Sequence, residues 1–307
     1  MLELLTIFVD NMIPVLAIAA VGVALRRRLN VNPAMVSSMM FYVFSPALAF
    51  DAIYRRDISG GDFLRVYIGT LALLAAIGAL SFLFLRWQRI SPREFATTLV
   101  STFVFNGANF GISIVSFAFG AEALTYAVII YIAGSTVAWT LGPYVSSSGK
   151  ASMLQSFQSV LRTPVVYALV LAFALKAAGI EELPPALSRT SQLLADASIP
   201  LMLVLLGLQL GGFQKPDRWR LLLLGTTIRL VLAPLVAIVC ASLLNLEGAA
   251  RFAFILQAGM PTAVLTLILA YEFDTDRDLA LNLIMTTTLI SPITLTLLIY
   301  LLQSGIV

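Results

Sequence analysis

Ten stretches of about twenty mostly apolar residues, parted by short charged or Pro/Gly-rich breaks, occupy almost the whole chain of 307 residues. About twenty such residues are what an α-helix needs to cross the hydrocarbon core of a bilayer. The runs lie near residues 6–25, 34–54, 63–85, 95–119, 122–145, 159–178, 188–210, 218–245, 249–270 and 280–303. So little chain remains that no soluble domain is expected. The longest connection, roughly Ser146 to Gln158, is short and Ser-rich. Charged residues make up 11% of the chain and hydrophobic ones 60%, whereas a soluble domain carries roughly 25% charged residues. That is too little charge to solvate a surface. The chain is predicted to be an all-α integral membrane protein, which excludes soluble enzymes, disordered scaffolds and nucleic-acid modules. It has no histidine, so imidazole bases and His ligands are absent. A lone Cys240 makes neither an intrachain disulfide nor a zinc cluster. No metal and no cofactor are expected.

Lys and Arg residues on alternate connections orient the spans. Of the nineteen, twelve fall on one side, among them Arg26, Arg27, Arg28, Arg86, Arg89, Arg93 and Arg277. Six fall on the other: Arg55, Arg56, Arg65, Lys176, Arg189 and Arg251. The nineteenth, Arg229, lies inside a span. The richer side is assigned to the cytoplasm, and both termini then face outward. Glu3 and Asp10, with no basic residue before them, do not make a cleavable signal peptide. Short loops and an Arg-rich inner face suit a multi-pass protein of a cell membrane, expected to be a bacterial inner membrane.

Ten spans divide into five and five. Because five is odd, the second half enters from the opposite face, the arithmetic of an inverted repeat. The expected repeats cover residues 1–145 and 159–307, joined by a cytoplasmic connection over 146–158. Span 2 carries Pro46 and span 7 carries Pro200. Span 4 is interrupted by Asn106–Gly111, NGANFG, and span 9 by Gln257–Thr262, QAGMPT. These two spans hold the same place in their halves. Gly and Pro, here Gly107, Gly111 and Pro261, loosen the helical ladder. Backbone groups freed in hydrocarbon need partners in protein or in a wet cavity. A matched pair of broken helices points to a transporter binding site, and half-helix N-termini suit an anion.

Four patches carry a resemblance to the auxin efflux carrier family, which includes the plant PIN carriers and bacterial permeases. They are FNGANFGISIV in span 4, ASIPLMLVLLGLQL in span 7, QAGMPTAVLTLILAYEFDTD in span 9 and LISPITLTLLIYLL in span 10. The resemblance implies a ten-helix, two-repeat fold shared distantly with bile acid sodium symporters. Spans 4 and 9 would cross inside a mobile transport domain made of spans 3–5 and 8–10. Spans 1, 2, 6 and 7 would form a scaffold through which family members pair as homodimers. Transport would be elevator-like, and the substrate an organic anion, auxin-like or a dicarboxylate. Asn106 matches the family's substrate-contacting Asn, and Pro261 its crossover proline. Where many relatives have proline after Gly-Ile in span 4, this chain has Ser113. Its break then rests on Gly107, Gly111 and the Asn side chains.

The residues themselves leave alternatives open. Asn106 and Asn109, three apart, share a helical face, and their amides both donate and accept. They suit a carboxylate, a cation site or an interhelical hydrogen bond. Gln257 either supports the unwound backbone, meets the ligand or joins helices. Thr262 and Thr266 offer hydroxyls at the half-helix start, and Ser113, Ser116 and Ser135 are similar candidates. Arg229, mid-span, costs about 2.5–3.5 kcal/mol at the bilayer centre on the mildest scale. It is a partner for an anionic substrate, a fixed charge bracing the crossover where sodium-driven relatives hold a cation, or half of a buried pair with Asp196. Asp196 is a candidate proton carrier or a solvated carboxylate. The acidic run Glu272–Asp278 lacks the glycine turn and closing Glu of a calcium loop and reads as a solvated loop.

The expected function is transport of a small organic anion, its carboxylate held by Asn106 and backbone N–H groups with Arg229 adding charge. Spans 4 and 9 contain no carboxylate, which disfavours proton antiport through a midplane Asp pair. Uniport and sodium coupling stay open. The alternatives are a sodium-coupled symporter of bile-acid type and a membrane sensor that binds without transporting.

Overall fold

The computed structural model describes residues 2–56, 58–147, 149, 161, 163–210 and 218–307. The expected connection over 146–158, with Lys150, Arg162 and Lys215 of the charge count, lies outside these residues or nearly so. Among the described residues the chain is helical, joined by short connections. The helices are α1 Leu2–Leu29, α2 Pro33–Tyr54, α3 Gly60–Arg86, α4 Pro92–Phe103, α5 Gly107–Ser146, α6 Pro164–Ala177, α7 Pro185–Gln209, α8 Trp219–Leu243, α9 Gly248–Ala258, α10 Leu265–Glu272 and α11 Arg277–Gln303. Seven of them are long and apolar enough to cross a membrane: α1, α2, α3, α5, α7, α8 and α11.

Seven differs from the ten expected for particular reasons. Spans 4 and 9 are each split, so that α4, α9 and α10 are half-length rods. Helix α6, apolar but of 14 residues, is shorter than the expected span. Helix α5 joins the second half of span 4 to span 5. Its 40 residues are interrupted at Gly120, whose φ of +75° and ψ of −167° lie outside the helical region. Glycine adopts that conformation at no steric cost. The interruption falls between the two expected spans.

Local chemistry sets the helix starts. Ser91 and Glu94 form a reciprocal capping box at α4: the Glu94 N–H donates to the Ser91 hydroxyl at 3.2 Å and the Ser91 N–H to the Glu94 carboxylate at 2.8 Å. The Asp276 carboxylate accepts from the Leu279 N–H at 3.0 Å and starts α11. Besides the π-turn that opens α5 over residues 107–112, three helices among the described residues carry one, over residues 8–12, 40–44 and 228–232. Each of these three lies just before a proline, Pro14, Pro46 or Pro234. A proline within a helix offers no N–H and presses on the carbonyl four residues back. The turn widens to relieve this. The N–H groups of Ile13, Ser45 and Ala233 accordingly reach back five residues, to the carbonyls of Phe8, Met40 and Ile228.

Two packed regions result. In the first, α1 crosses α7 and α2 lies against α6 and α7. The α1–α7 crossing is close because both backbones are bare: a Cβ built on Gly22 would lie 2.9 Å from Gly207 Cα. The Ser198 hydroxyl of α7 donates to the Phe44 carbonyl of the α2 π-turn at 2.9 Å. In the second region α4, α5, α8, α9 and α11 bury Ile129, Ile130, Phe254, Ile255, Leu283 and Ile299 almost completely. The breaks after α4 and α9 sit inside this second region.

Candidate functional site

The two interruptions are extended and pair with each other. Val104 has φ −91° and ψ 101°, ending α4. The Asn106 N–H donates to the Pro261 carbonyl at 2.7 Å, and the Ala263 N–H donates to the Val104 carbonyl at 3.0 Å. Phe105 and Thr262 thus face each other in an antiparallel bridge. Backbone groups that unwinding would strand in hydrocarbon find partners in the opposite break. The Thr262 hydroxyl donates to the Ser101 carbonyl at 2.8 Å, and its N–H donates to the Thr287 hydroxyl at 3.1 Å. The bridge is thereby fastened to α4 and α11. Span 4 unwinds without the proline that Ser113 replaces. Glycine is needed instead: a Cβ on Gly111 would come 2.8 Å from Gln257 Cδ.

Four half-helix ends converge here, and they are treated differently by sign. The C-terminal ends of α4 and α9 are met by donors. The Arg229 guanidinium, fully buried, donates Nη1 to the Thr102 carbonyl at 2.8 Å and Nη2 to the Ala258 carbonyl. Ser101 O is taken by Thr262, while Leu256 O and Gln257 O accept from the N–H groups of Gly259 and Met260. Helix C-termini carry about half a negative charge each. Arg229 answers two of them at once. Charge-assisted hydrogen bonds of about 1.5–3 kcal/mol each are of the size needed to offset the cost of burying it. Arg229 sits in the π-turn that Pro234 imposes, and its Cζ lies 5.6 Å from the centroid of the Phe105 ring.

The N-terminal ends of α5 and α10 are unsaturated. Among the described residues, the N–H groups of Ala108, Asn109, Val264 and Leu265 donate to no backbone carbonyl. They border a cavity of about 210 Å³. Asn106 lines it, 6% exposed, and its side-chain amide has no protein partner among the described residues. Asn109 lines it too. The rest of the wall is Phe105, then Ser37 and Phe41 of α2, Tyr131, Ser135 and Trp139 of α5, and Gln209 at the end of α7. Among the described residues no Lys, Arg, Asp or Glu side chain lines it. Its positive character there is that of backbone dipoles.

Several expected site residues lie elsewhere. Arg229 does not line the cavity; the bridge and Phe105 separate it from that space. It makes no ion pair with Asp196, which is exposed on α7 away from the cavity. Gln257 is fully buried behind the break, its amide N–H groups donating to the carbonyls of Gly107 at 3.2 Å and Ala127 at 3.3 Å. It supports the unwound backbone rather than meeting the cavity. Gly111 packs on Gln257, and Pro261 and Thr262 belong to the bridge. Asn106, Gly107, Asn109 and Ser135 are the expected residues that reach the cavity. The aromatic wall went unnoticed in the sequence, although Tyr131, Ser135 and Trp139, spaced by four, mark one helical face. The acidic run is more engaged than a solvated loop. Asp274 pairs with Arg93 at 2.6 Å, and Asp276 pairs with Arg218, which also lies 3.6 Å from Glu94. Hydrogen bonds from the Ser91 N–H and hydroxyl, with the Arg218 charge, hold the Glu94 carboxyl below its usual range.

Paired broken helices whose unsaturated N-terminal ends border a cavity, within a bundle of apolar helices, define the class: a multi-pass membrane transporter. The chain matches the model of the membrane transport protein family over residues 7–299 and belongs to that family, the auxin efflux carrier-like transporters. It is 27% identical over 267 residues to an uncharacterized transporter of Methanothermobacter thermautotrophicus, covering 85% of this chain and 86% of that one. It is 21% identical over 265 residues to an uncharacterized transporter of Methanocaldococcus jannaschii, covering 84% and 85%. The protein is a transporter and not an enzyme.

Proposed function

We propose that the protein carries small organic monoanions across a cell membrane. One observation carries this reading: the unpaired N–H groups of two half-helix N-termini and the unpartnered Asn106 amide face one cavity. Such groups hold a carboxylate well. A single carboxylate suits the site better than two, because among the described residues no side-chain cation lines it to meet a second charge. Phe41, Phe105, Tyr131 and Trp139 offer flat apolar surface to the rest of the ligand.

In this reading the chain crosses the membrane ten times, as two inverted five-helix repeats. Helices α1, α2, α6 and α7 are the scaffold, and α3–α5 with α8–α11 move against it as an elevator. The charge count gives the state. The cavity walls outside the breaks come from the start of α2, the end of α7, the later part of α5 and α10. These are the cytoplasmic halves when the side richer in Lys and Arg is inside, so this is the inward-facing form.

Uptake of radiolabelled benzoate, indole-3-acetate and malate into proteoliposomes tests the reading. Saturable uptake of a monocarboxylate, competed more weakly by malate, is expected with choline replacing sodium. Strict sodium dependence would move the protein to the sodium-coupled alternative. Saturable binding without uptake would make it a sensor.

A further inference from the structure

We propose that the Arg229 guanidinium is a tethered cation filling an oxygen-lined site, and that its removal converts the crossover into a site for a small free cation. The inference rests on the crossover of the proposed transporter but concerns the face opposite the anion cavity. Arg229 joins the Thr102 and Ala258 carbonyls, the ends of two helices that approach from opposite directions. Both carbonyls belong to last turns, where no following helical N–H is available. Arg229 is fully buried and has no carboxylate partner among the described residues. Its counter-charge is therefore the pair of helix C-termini. Further buried oxygens on the neighbouring helices have no hydrogen-bond partner: Thr98 Oγ1 and Ser101 Oγ on α4, and Thr226 Oγ1 on α8, one turn before Arg229. Carbonyl and hydroxyl oxygens are the ligands that hard monovalent cations take. The two carbonyls are fixed by the bridge and by α4 and α9, not by Arg229 alone. Removing the arginine leaves a buried space that the Thr102 and Ala258 carbonyls face. The native chain carries its own positive charge there and has no need of a coupling cation at that point.

The test reads stability without any transported substrate, so it can fail while anion transport stands, or stand while anion transport fails. Native protein, Arg229→Ala and Arg229→Lys are melted in detergent in choline, sodium or millimolar guanidinium chloride at equal ionic strength. Native protein and Arg229→Lys are expected to melt alike in all three salts. Arg229→Ala is expected to melt lower in choline and to recover by about 5 °C or more in guanidinium or sodium at a large excess over Kd, since a ligand of the folded state raises apparent stability. An alanine variant recovered only when purified in sodium or guanidinium supports the same conclusion. Equal melting of Arg229→Ala in all salts overturns it, as does native protein stabilised by sodium over choline. If Arg229→Ala is not recovered in any salt, Arg229→Lys and Arg229→Gln decide. A stable Lys variant beside a cation-responsive Gln variant supports the tethered charge. Equal behaviour of the two reduces Arg229 to packing.

Discussion

The two faces of the crossover are built from the same parts and finished in opposite ways. On one, the carbonyl ends of α4 and α9 are closed by Arg229, by the Thr262 hydroxyl and by local N–H groups. On the other, the N–H groups of Ala108, Asn109, Val264 and Leu265 and the Asn106 amide have no protein partner among the described residues and lie beside a cavity. In hydrocarbon every unsatisfied polar group costs free energy. Donors are given to the carbonyl ends on one face, while N–H groups on the other are left beside a cavity. The closed face holds the architecture and the open face is available to a ligand. Polarity alone does not separate them, since Gln257 on one face is matched by Asn106, Asn109 and Gln209 on the other. Which helix ends have donors does.

The sharpest way to break this contrast is to exchange stability for transport. Arg229→Gln should destabilise the folded protein most, by about 3 kcal/mol or more, because two buried carbonyls lose charge-assisted donors. Thermal melts in choline would show it, and an unchanged melting temperature would remove the closed face from the argument. Asn106→Ala should do the reverse. Its amide has no protein partner among the described residues, so stability should move by less than about 1 kcal/mol. Uptake of the preferred monocarboxylate should fall about tenfold or more, the worth of one hydrogen bond to a charged group. Wild-type uptake by this variant would place the anion elsewhere.

The prolines sharpen the comparison next. For stability, the geometry ranks Pro234 at or above Pro261. Residue 261 contributes its carbonyl to Asn106, which any residue supplies, whereas Pro234 imposes the π-turn that presents Arg229. Pro234→Ala should lower stability by about 1–2 kcal/mol, at least as much as Pro261→Ala. Paired melts of the two variants check the order. A smaller effect belongs to the cavity wall: Trp139→Ala should raise KM for an aromatic substrate by about twofold to tenfold, the worth of one ring contact. An equal change for malate would deny the wall its part in selection.

The smallest effect expected is on pH. Glu94 has its pKa lowered from 4.5 in the folded chain by Ser91 and then Arg218. The stability it contributes is present above its ordinary value and is lost as pH falls through the lowered one. Melts between about pH 6 and pH 3 should show this loss in the native protein. Glu94→Gln, which has no proton to take up there, should lack it.

Apolar runs, the Gly- and Pro-containing breaks and the resemblance in four patches were enough to specify a helical membrane transporter with interruptions at NGANFG and QAGMPT. The physical basis is local: hydrocarbon demands continuous apolar helix, and Gly and Pro weaken the ladder wherever they stand. The sequence also pointed to Asn106, Asn109 and Gly107, because polar and small residues at a break have few other uses in a bilayer. It did not assign Gln257 or Arg229. Each is a polar residue on an apolar helix, and only the packing of α9 against α5 and of α8 against α4 and α9 shows which carbonyls they reach. Nor did it yield the aromatic wall, since Phe41, Phe105 and Trp139 look like any lipid-facing aromatic until three elements enclose them. Which half-helix ends are closed and which are open depends on groups more than a hundred residues apart, such as Arg229 and Thr102. No local rule fixes that, and the fold alone decides it.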